Sequence, residues 1–285
     1  MKFGIMQGRL TEPKGRGIQF FPFEHWREEF DMGKSLGLDE IEFIFDYDQY
    51  QENPLWQDKG EAVGAVADKS GVHVHSVCFD YFMRRAFYKY HGNKRETLIE
   101  ENRQILRHVL SNMLVQGIRL IEIPLVDDSS LQSEMEEIAF REFLLPIIDE
   151  TDAGIRFGLE TDMEPHRFRK YLDSFGTERL GANYDSGNSS GLGYKPYEEL
   201  TILREHILNI HIKDRQYQGT TKQLGTGSAD FEGFFKALKE IGYDGSLILQ
   251  AARGEDGHEQ ENIAWQLNFV KKNLKQWKIG LYEDG

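Results

Sequence analysis

Four side chains stand where short apolar runs come to an end: Glu160 in "IRFGLETD", Asp185 in "RLGANYD", His211 in "ILNIHIKD" and Gln250 in "SLILQAARG". Three offer oxygen donors and one an imidazole nitrogen, a set that suits one divalent ion, Mn²⁺, Mg²⁺, Co²⁺ or Zn²⁺. Each run reads as a strand, so a period of two decides which residues share a face. With Glu160 turned inward, Gly158 follows it while Phe157 and Leu159 face out. Asp185 carries Asn183 inward and leaves Tyr184 outside, and His211 carries Lys213 inward with Ile210 and Ile212 outside. Gln250 inward leaves Leu247 and Leu249 outside. Taken singly, Asp185 could cap a helix and His211 could be a core histidine. Four strand tips with the same polarity point to one site.

Eight such runs recur: "KFGIM" at 2, "EIEFIF" at 40, "VHVHSVCF" at 72, "IRLIEIPL" at 118, "IRFGLETD" at 155, "RLGANYD" at 179, "ILNIHIKD" at 207 and "SLILQAA" at 246. Helical spacing fills the gaps, as in Trp26, Phe30, Gly33 and Leu36, in Leu98 to Leu114, and in Phe234, Leu238 and Ile241. Glycines mark several helix-to-strand turns ("SLGLDEIEF", "KSGVHVH", "VQGIRLIEI", "EIGYDGSLIL"). Eight βα units in 285 residues predict an α/β chain folded as one (β/α)8 barrel, residues 1–275, with a loosely attached tail at 276–285. A doubly wound open sheet needs fewer strands. In a barrel of this kind the chemistry collects at the C-terminal ends of the strands, and the long loops at 7–23 and 79–95, rich in aromatic and basic residues, are expected to cover it.

The 34 Lys and Arg against 48 Asp and Glu give a net charge of −14, which repels a nucleic acid backbone. A small phosphorylated substrate stays open, because a few local cations can bind it. Cys78 is the lone cysteine, no apolar run approaches a membrane span, and the start "MKFGIMQGRL" is too short in apolar residues for a signal peptide. The expected setting is cytoplasmic, without membrane or nucleic acid partners. Arg9, Arg84, Arg85, Lys222 and Arg253 fall in loops near the expected mouth, and the amides of "GTGS", Gly225 to Ser228, could cradle an anion. That run is no dinucleotide fingerprint, since it follows a loop and not a strand.

At these residues the chain resembles the xylose isomerase-like barrels, the sugar phosphate isomerase and epimerase superfamily that also contains zinc-dependent apurinic endonucleases. Nearly the whole chain takes part, and the ketopentulose and hexulose phosphate epimerase or isomerase branch resembles it best. "GLETD" corresponds to the fifth-strand glutamate, "NYDSGN" to the sixth-strand aspartate turn, "NIHIKD" to the seventh-strand histidine, and "LGTGSADFEGFFKALKEIGYDGSLIL" to the approach to the eighth strand. The resemblance implies a divalent metal held by Glu160, Asp185, His211 and Gln250, a sugar or sugar-phosphate substrate, an enediolate intermediate, and a homo-oligomer. Asn188 stands where many relatives have a histidine, so one possible ligand is lost while a hydrogen-bonding group for a sugar remains. A multinuclear zinc site needs more histidines than this mouth supplies, which sets the endonuclease reading aside.

Relatives usually carry glutamate at the position of Gln250. An amide oxygen can bind a metal, but it exchanges no proton at neutral pH, and epimerisation needs an acid and a base on opposite faces of the sugar. Three answers stand open. Glu160 alone shuttles a proton in an aldose–ketose isomerase; Lys213 or Glu122 replaces the missing carboxylate; or the barrel binds a sugar, or regulates a partner, without catalysis. Glu160, Lys213 and Glu122 are therefore the expected catalytic residues, with Asn188, Arg253, Arg9 and Gly227 on the substrate.

Overall fold

The computed structural model describes residues 1–250 and 252–280. Its strands in chain order are β1 (Lys2–Met6), β2 (Glu40–Ile44), β3 (His73–Cys78), β4 (Leu120–Leu125), β5 (Arg156–Thr161), β6 (Leu180–Asp185), β7 (Ile207–Ile212), β8 (Asp214–Arg215), β9 (Thr221–Lys222) and β10 (Ser246–Leu249). Eight of them close a parallel barrel in the order β1-β10-β7-β6-β5-β4-β3-β2, while β8 and β9 form a small antiparallel hairpin on the mouth. The expected (β/α)8 barrel is what the chain forms. Every run read as a strand supplies one barrel strand; Ala251, at the end of the last run, lies outside the described residues.

Eight helices follow the barrel strands: α1 (Glu28–Ser35), α2 (Glu61–Ser70), α4 (Gly92–Val115), α5 (Glu134–Glu150), α6 (Pro165–Asp173), α8 (Pro196–Leu203), α9 (Phe231–Ile241) and α10 (Glu259–Trp277). Two short ones, α3 (Tyr81–Arg84) and α7 (Ser186–Leu192), lie in the loops after β3 and β6. The glycine turns behave as the sequence suggests: Gly71 and Gly242 end α2 and α9 in the left-handed conformation, which costs a residue without Cβ nothing. The expected tail from 276 begins inside α10, and Ile279 beyond it is buried; residues 281–285 lie outside the described residues.

The core lies between barrel and helices. Ile121, Ile123, Phe157, Leu159, Ile210 and Ile212, all turned outward from the barrel, are fully buried against the helix layer. Aromatics of the 79–95 loop join this layer, with Phe87 packed 4.6 Å from Phe143 and Phe82 5.7 Å from it, ring to ring, on α5. The interior of the barrel is polar by contrast: Glu42, Glu122, Asn183, Asn209 and His211 are each buried to within 1% of complete. Register shifts fall between Ile41 and Glu42 and between Ala182 and Asn183. Such irregularities re-aim side chains, and here they sit directly beside polar residues that meet inside the barrel.

Candidate active site

Glu160, Asp185 and His211 each offer one donor atom, and the three atoms lie within 4.8 Å of one another. Parity therefore holds at the mouth as the sequence suggests. Asp185 does two things at once. Its Oδ1 accepts from the amides of Gly187 and Asn188, each at 2.7 Å, and so caps α7, while Oδ2 points to the cluster, 4.0 Å from His211 Nδ1. Asn183 Nδ2 reaches both Glu160 Oε2, at 2.8 Å, and His211 Nδ1, at 3.1 Å.

His211 is fixed from behind by Glu42, whose Oε1 lies 2.7 Å from Nε2 across 169 residues of sequence. Glu42 also accepts from Ser76 Oγ at 2.5 Å and Asn209 Nδ2 at 2.8 Å. Burial alone would drive the imidazole toward neutrality, but Glu42 and Glu160 outweigh it and raise His211 well above its ordinary value. Burial likewise works to raise Glu42, and His211 with the Ser76 hydroxyl reverses this, leaving the carboxyl below its usual range. The Glu42 carboxylate accepts from His211 Nε2 and so turns Nδ1 toward Glu160 and Asp185, where it can serve as a ligand once Nδ1 gives up its proton. A carboxylate behind an imidazole in this way is how protein sites orient a histidine toward a cation.

A cavity of about 1110 Å³ opens above the cluster, with Glu160, Lys213, Asn188 and Gln250 in its wall and Asp185 and His211 just behind them. Lys213 Nζ lies 3.4 Å from Asp185 Oδ2, 3.1 Å from Asn188 Oδ1 and 3.3 Å from Gln250 Oε1. Asn188 donates its amide to Glu160 Oε1, and its Oδ1 also accepts from Arg215 at 3.1 Å. On the far wall Phe20, Phe21, Asp80 and Arg84 come from the two long loops expected to cover the site.

The xylose isomerase-like TIM barrel family profile matches residues 30–273. The chain belongs to this family. With that membership the expected enzyme class, isomerases and epimerases, is borne out. Among curated proteins, the L-ribulose-5-phosphate 3-epimerase UlaE of Salmonella paratyphi A is 26% identical over 277 residues, covering 91% of this chain and 93% of that protein. Among solved structures, a D-allulose 3-epimerase from Methylomonas sp. in complex with D-allulose has a TM-score of 0.73 at 15% identity, covering 96% of this chain and 97% of that one. The IOLI protein with a binding zinc atom also gives 0.73 at 15% identity, covering 97% and 99%. At these identities the two structures speak for the fold.

Within this family barrel the other expected residues meet different fates. Arg253 lies outside the cavity wall: its guanidinium donates to the carbonyl oxygens of Gly8, Thr11 and Ile18 and so pins the loop after β1. Arg9 donates to Ile18 as well, and burial, with Arg253 nearby, brings it down to about 9. Gly227 is likewise away from the wall, and the anion that "GTGS" cradles is the protein's own. Buried Asp214 accepts from the amides of Gly225 at 3.0 Å, Gly227 at 2.8 Å and Ala229 at 3.0 Å. A Cβ at Gly227 would collide with the Asp214 carboxylate. Glu122 does line the cavity, fully buried, with no hydrogen-bond partner for either oxygen among the described residues. Burial, reinforced by Glu160 and Glu42, pushes it well above the carboxylate range, which favours its protonated form.

Glu42, Asp80, Gln19 and Arg215 went unread in the sequence. Glu42 had a signal: in "EIEFIF" acids alternate with apolar residues, which on a barrel strand puts both acids inside. Asp80 and Gln19 lie in loops, and Arg215 on the two-residue strand β8, where no period indicates direction.

Proposed function

We propose that the protein is a divalent-metal-dependent epimerase or isomerase of a ketose or ketose phosphate, acting through an enediolate. The single observation that carries this is the meeting of Glu160, Asp185 and His211 within 4.8 Å, backed by the Glu42 bond to His211 Nε2. The donor set fits a divalent cation. Asp185 keeps one oxygen free of its helix cap, Glu160 faces it, His211 turns Nδ1 to both, and Gln250 adds an amide oxygen. When bound, the ion supplies the positive charge that polarises the sugar carbonyl.

The chain's own residues do the rest. Glu160, at the cavity wall, is the base that takes the proton from the carbon beside the carbonyl. Asn183 and Asn188 hold its two oxygens, so the carboxylate meets the substrate in one orientation. Lys213 and Arg215, converging on Asn188 Oδ1, present cationic groups to substrate oxygens. Curated relatives act on L-ribulose 5-phosphate and a structural neighbour holds D-allulose, both ketoses, which supports this substrate class.

A second reading rests on Lys213: its ammonium lies against Asp185 and Gln250 and supplies a positive charge in the same place. On that reading the barrel binds a sugar without metal and without catalysis. Metal analysis of the purified protein decides between them. The proposal expects one divalent ion per chain, lost in Glu160→Gln and His211→Ala; no ion bound after incubation with Mn²⁺ or Zn²⁺ would leave the second reading standing.

A further inference from the structure

An epimerase inverts a carbon by losing its proton from one face and receiving another on the opposite face, and Gln250 can deliver none. Its amide is otherwise engaged, with Oε1 facing Lys213 and Nε2 donating to Gln19 Oε1 at 3.0 Å. The other end of Gln19 is the informative one: Nε2 donates to Asp80 Oδ2 at 2.6 Å. A carboxyl group is thus joined to the tip of β10 through a single side chain. Asp80 follows β3, two strands from the β5 that carries Glu160, and Gln19 ties it to Gln250 at the tip of β10, three strands from β5 the other way round; it thus belongs to the part of the cavity wall that faces Glu160 across the mouth. It also immediately precedes α3 yet makes no cap hydrogen bond with that helix. Its other oxygen accepts from Cys78 Sγ at 3.3 Å.

Building on the proposed function, we infer that Asp80 is the second proton-transfer residue of an epimerase, working on the face of the sugar opposite Glu160 and held there by Gln19. Burial pushes its carboxyl up to about 6; Gln19 and Cys78 pull it down, and the charges of Asp46 and Glu160 push it up. It therefore changes protonation state close to working pH, which a residue that gives and takes protons needs. Glu122, the alternative acid, is less well placed: it pairs in register with Gly158, whereas Pro124 pairs with Glu160, so Glu122 stands two positions deeper than the base.

The step balances without any further reactant. The C–H bond beside the carbonyl breaks, its proton passes to the Glu160 carboxylate, and its electron pair forms the C=C of the enediolate while the carbonyl π pair moves to oxygen. The O–H bond of Asp80 then breaks, its proton forms a new C–H bond on the opposite face, and the carbonyl re-forms. Glu160 ends protonated and Asp80 ionised, and exchange with water resets both.

The test measures deuterium uptake at C3 and epimer formation in heavy water, using the Mn²⁺-loaded full chain. The probes are L-ribulose 5-phosphate with L-xylulose 5-phosphate, and D-allulose with D-fructose. In Asp80→Asn, epimer formation falls at least 100-fold. Deuterium still enters the epimer whose C3 hydrogen faces Glu160, and no longer enters its partner; Glu160→Gln, which also removes a metal ligand, loses uptake into both. Asp80→Glu, which keeps the carboxyl, recovers part of the lost rate and guards against a folding defect. Epimer formation by Asp80→Asn within a few-fold of wild type would overturn the assignment and leave the proposed function intact, as would formation of an aldose alone. Absence of both uptake and epimer in the wild type overturns both.

Discussion

Two glutamates inside the barrel, Glu42 on β2 and Glu122 on β4, are equally buried and opposite in character. Glu42 accepts from Ser76, Asn209 and His211 and is held below the ordinary carboxylate range. Glu122 has no hydrogen-bond partner among the described residues and is driven well above it. Depth therefore does not decide the state of an acid here; its neighbours do. Glu29, on α1, adds an intermediate case. It accepts three hydrogen bonds, from Gly8 N at 2.7 Å, Leu10 N at 3.1 Å and Thr11 Oγ1 at 2.9 Å, and still burial raises it to about 7. Three neutral donors do less to lower Glu29 than Ser76, Asn209 and His211 do to lower Glu42.

The comparison breaks first at Glu42→Gln and Glu122→Gln. Removing the carboxylate behind His211 breaks the buried pair at Nε2 and leaves only Glu160 facing the ring, so Glu42→Gln is expected to destabilise the fold by ~3–5 kcal/mol and weaken metal binding ~10–100-fold. Glu122→Gln breaks no hydrogen bond or ion pair among the described residues and is expected to shift stability by less than ~1 kcal/mol. Urea denaturation of both variants measures the contrast; equal losses would mean the two acids are alike after all.

Glu29 sharpens it through pH. The folded protein holds this proton more tightly than the unfolded chain, so its contribution is complete below the ordinary value near 4.5 and is lost as pH rises through about 7. The wild type is expected to lose ~3 kcal/mol more than Glu29→Gln between pH 4.5 and 8. Parallel stability–pH profiles would show that the three neutral donors suffice.

A more local effect is expected at Asp214, whose partners are backbone amides. Asp214→Asn removes acceptor capacity from the Gly225–Ala229 loop at a cost of ~1–3 kcal/mol. The readout is local: hydrogen exchange at Gly225, Gly227 and Ala229 accelerates while the barrel strands stay protected.

The barrel could be read from the sequence because its signals are local. Each strand run has its own period, and the period alone turned Glu160, Asp185 and His211 to a common interior. What escaped depends on distant pairing. Nothing near His211 announces Glu42, 169 residues away, and nothing in "GTGS" reveals that Asp214 already fills it. Arg9 and Arg253 read as substrate cations from their loops, but their donors meet carbonyls that only the folded chain brings near.

The grip of Arg253 on Gly8, Thr11 and Ile18 also sets an order of events during synthesis. The loop after the first strand forms one wall of the cavity, yet the residue that fastens it emerges from the ribosome some 240 residues later, together with the strand that closes the ring. The earliest part of the chain must wait, unlatched, for almost the last. A truncated or stalled chain would carry the cluster of β5 to β7 in full and still lack a finished mouth, so partial products cannot act on substrate before the barrel is shut.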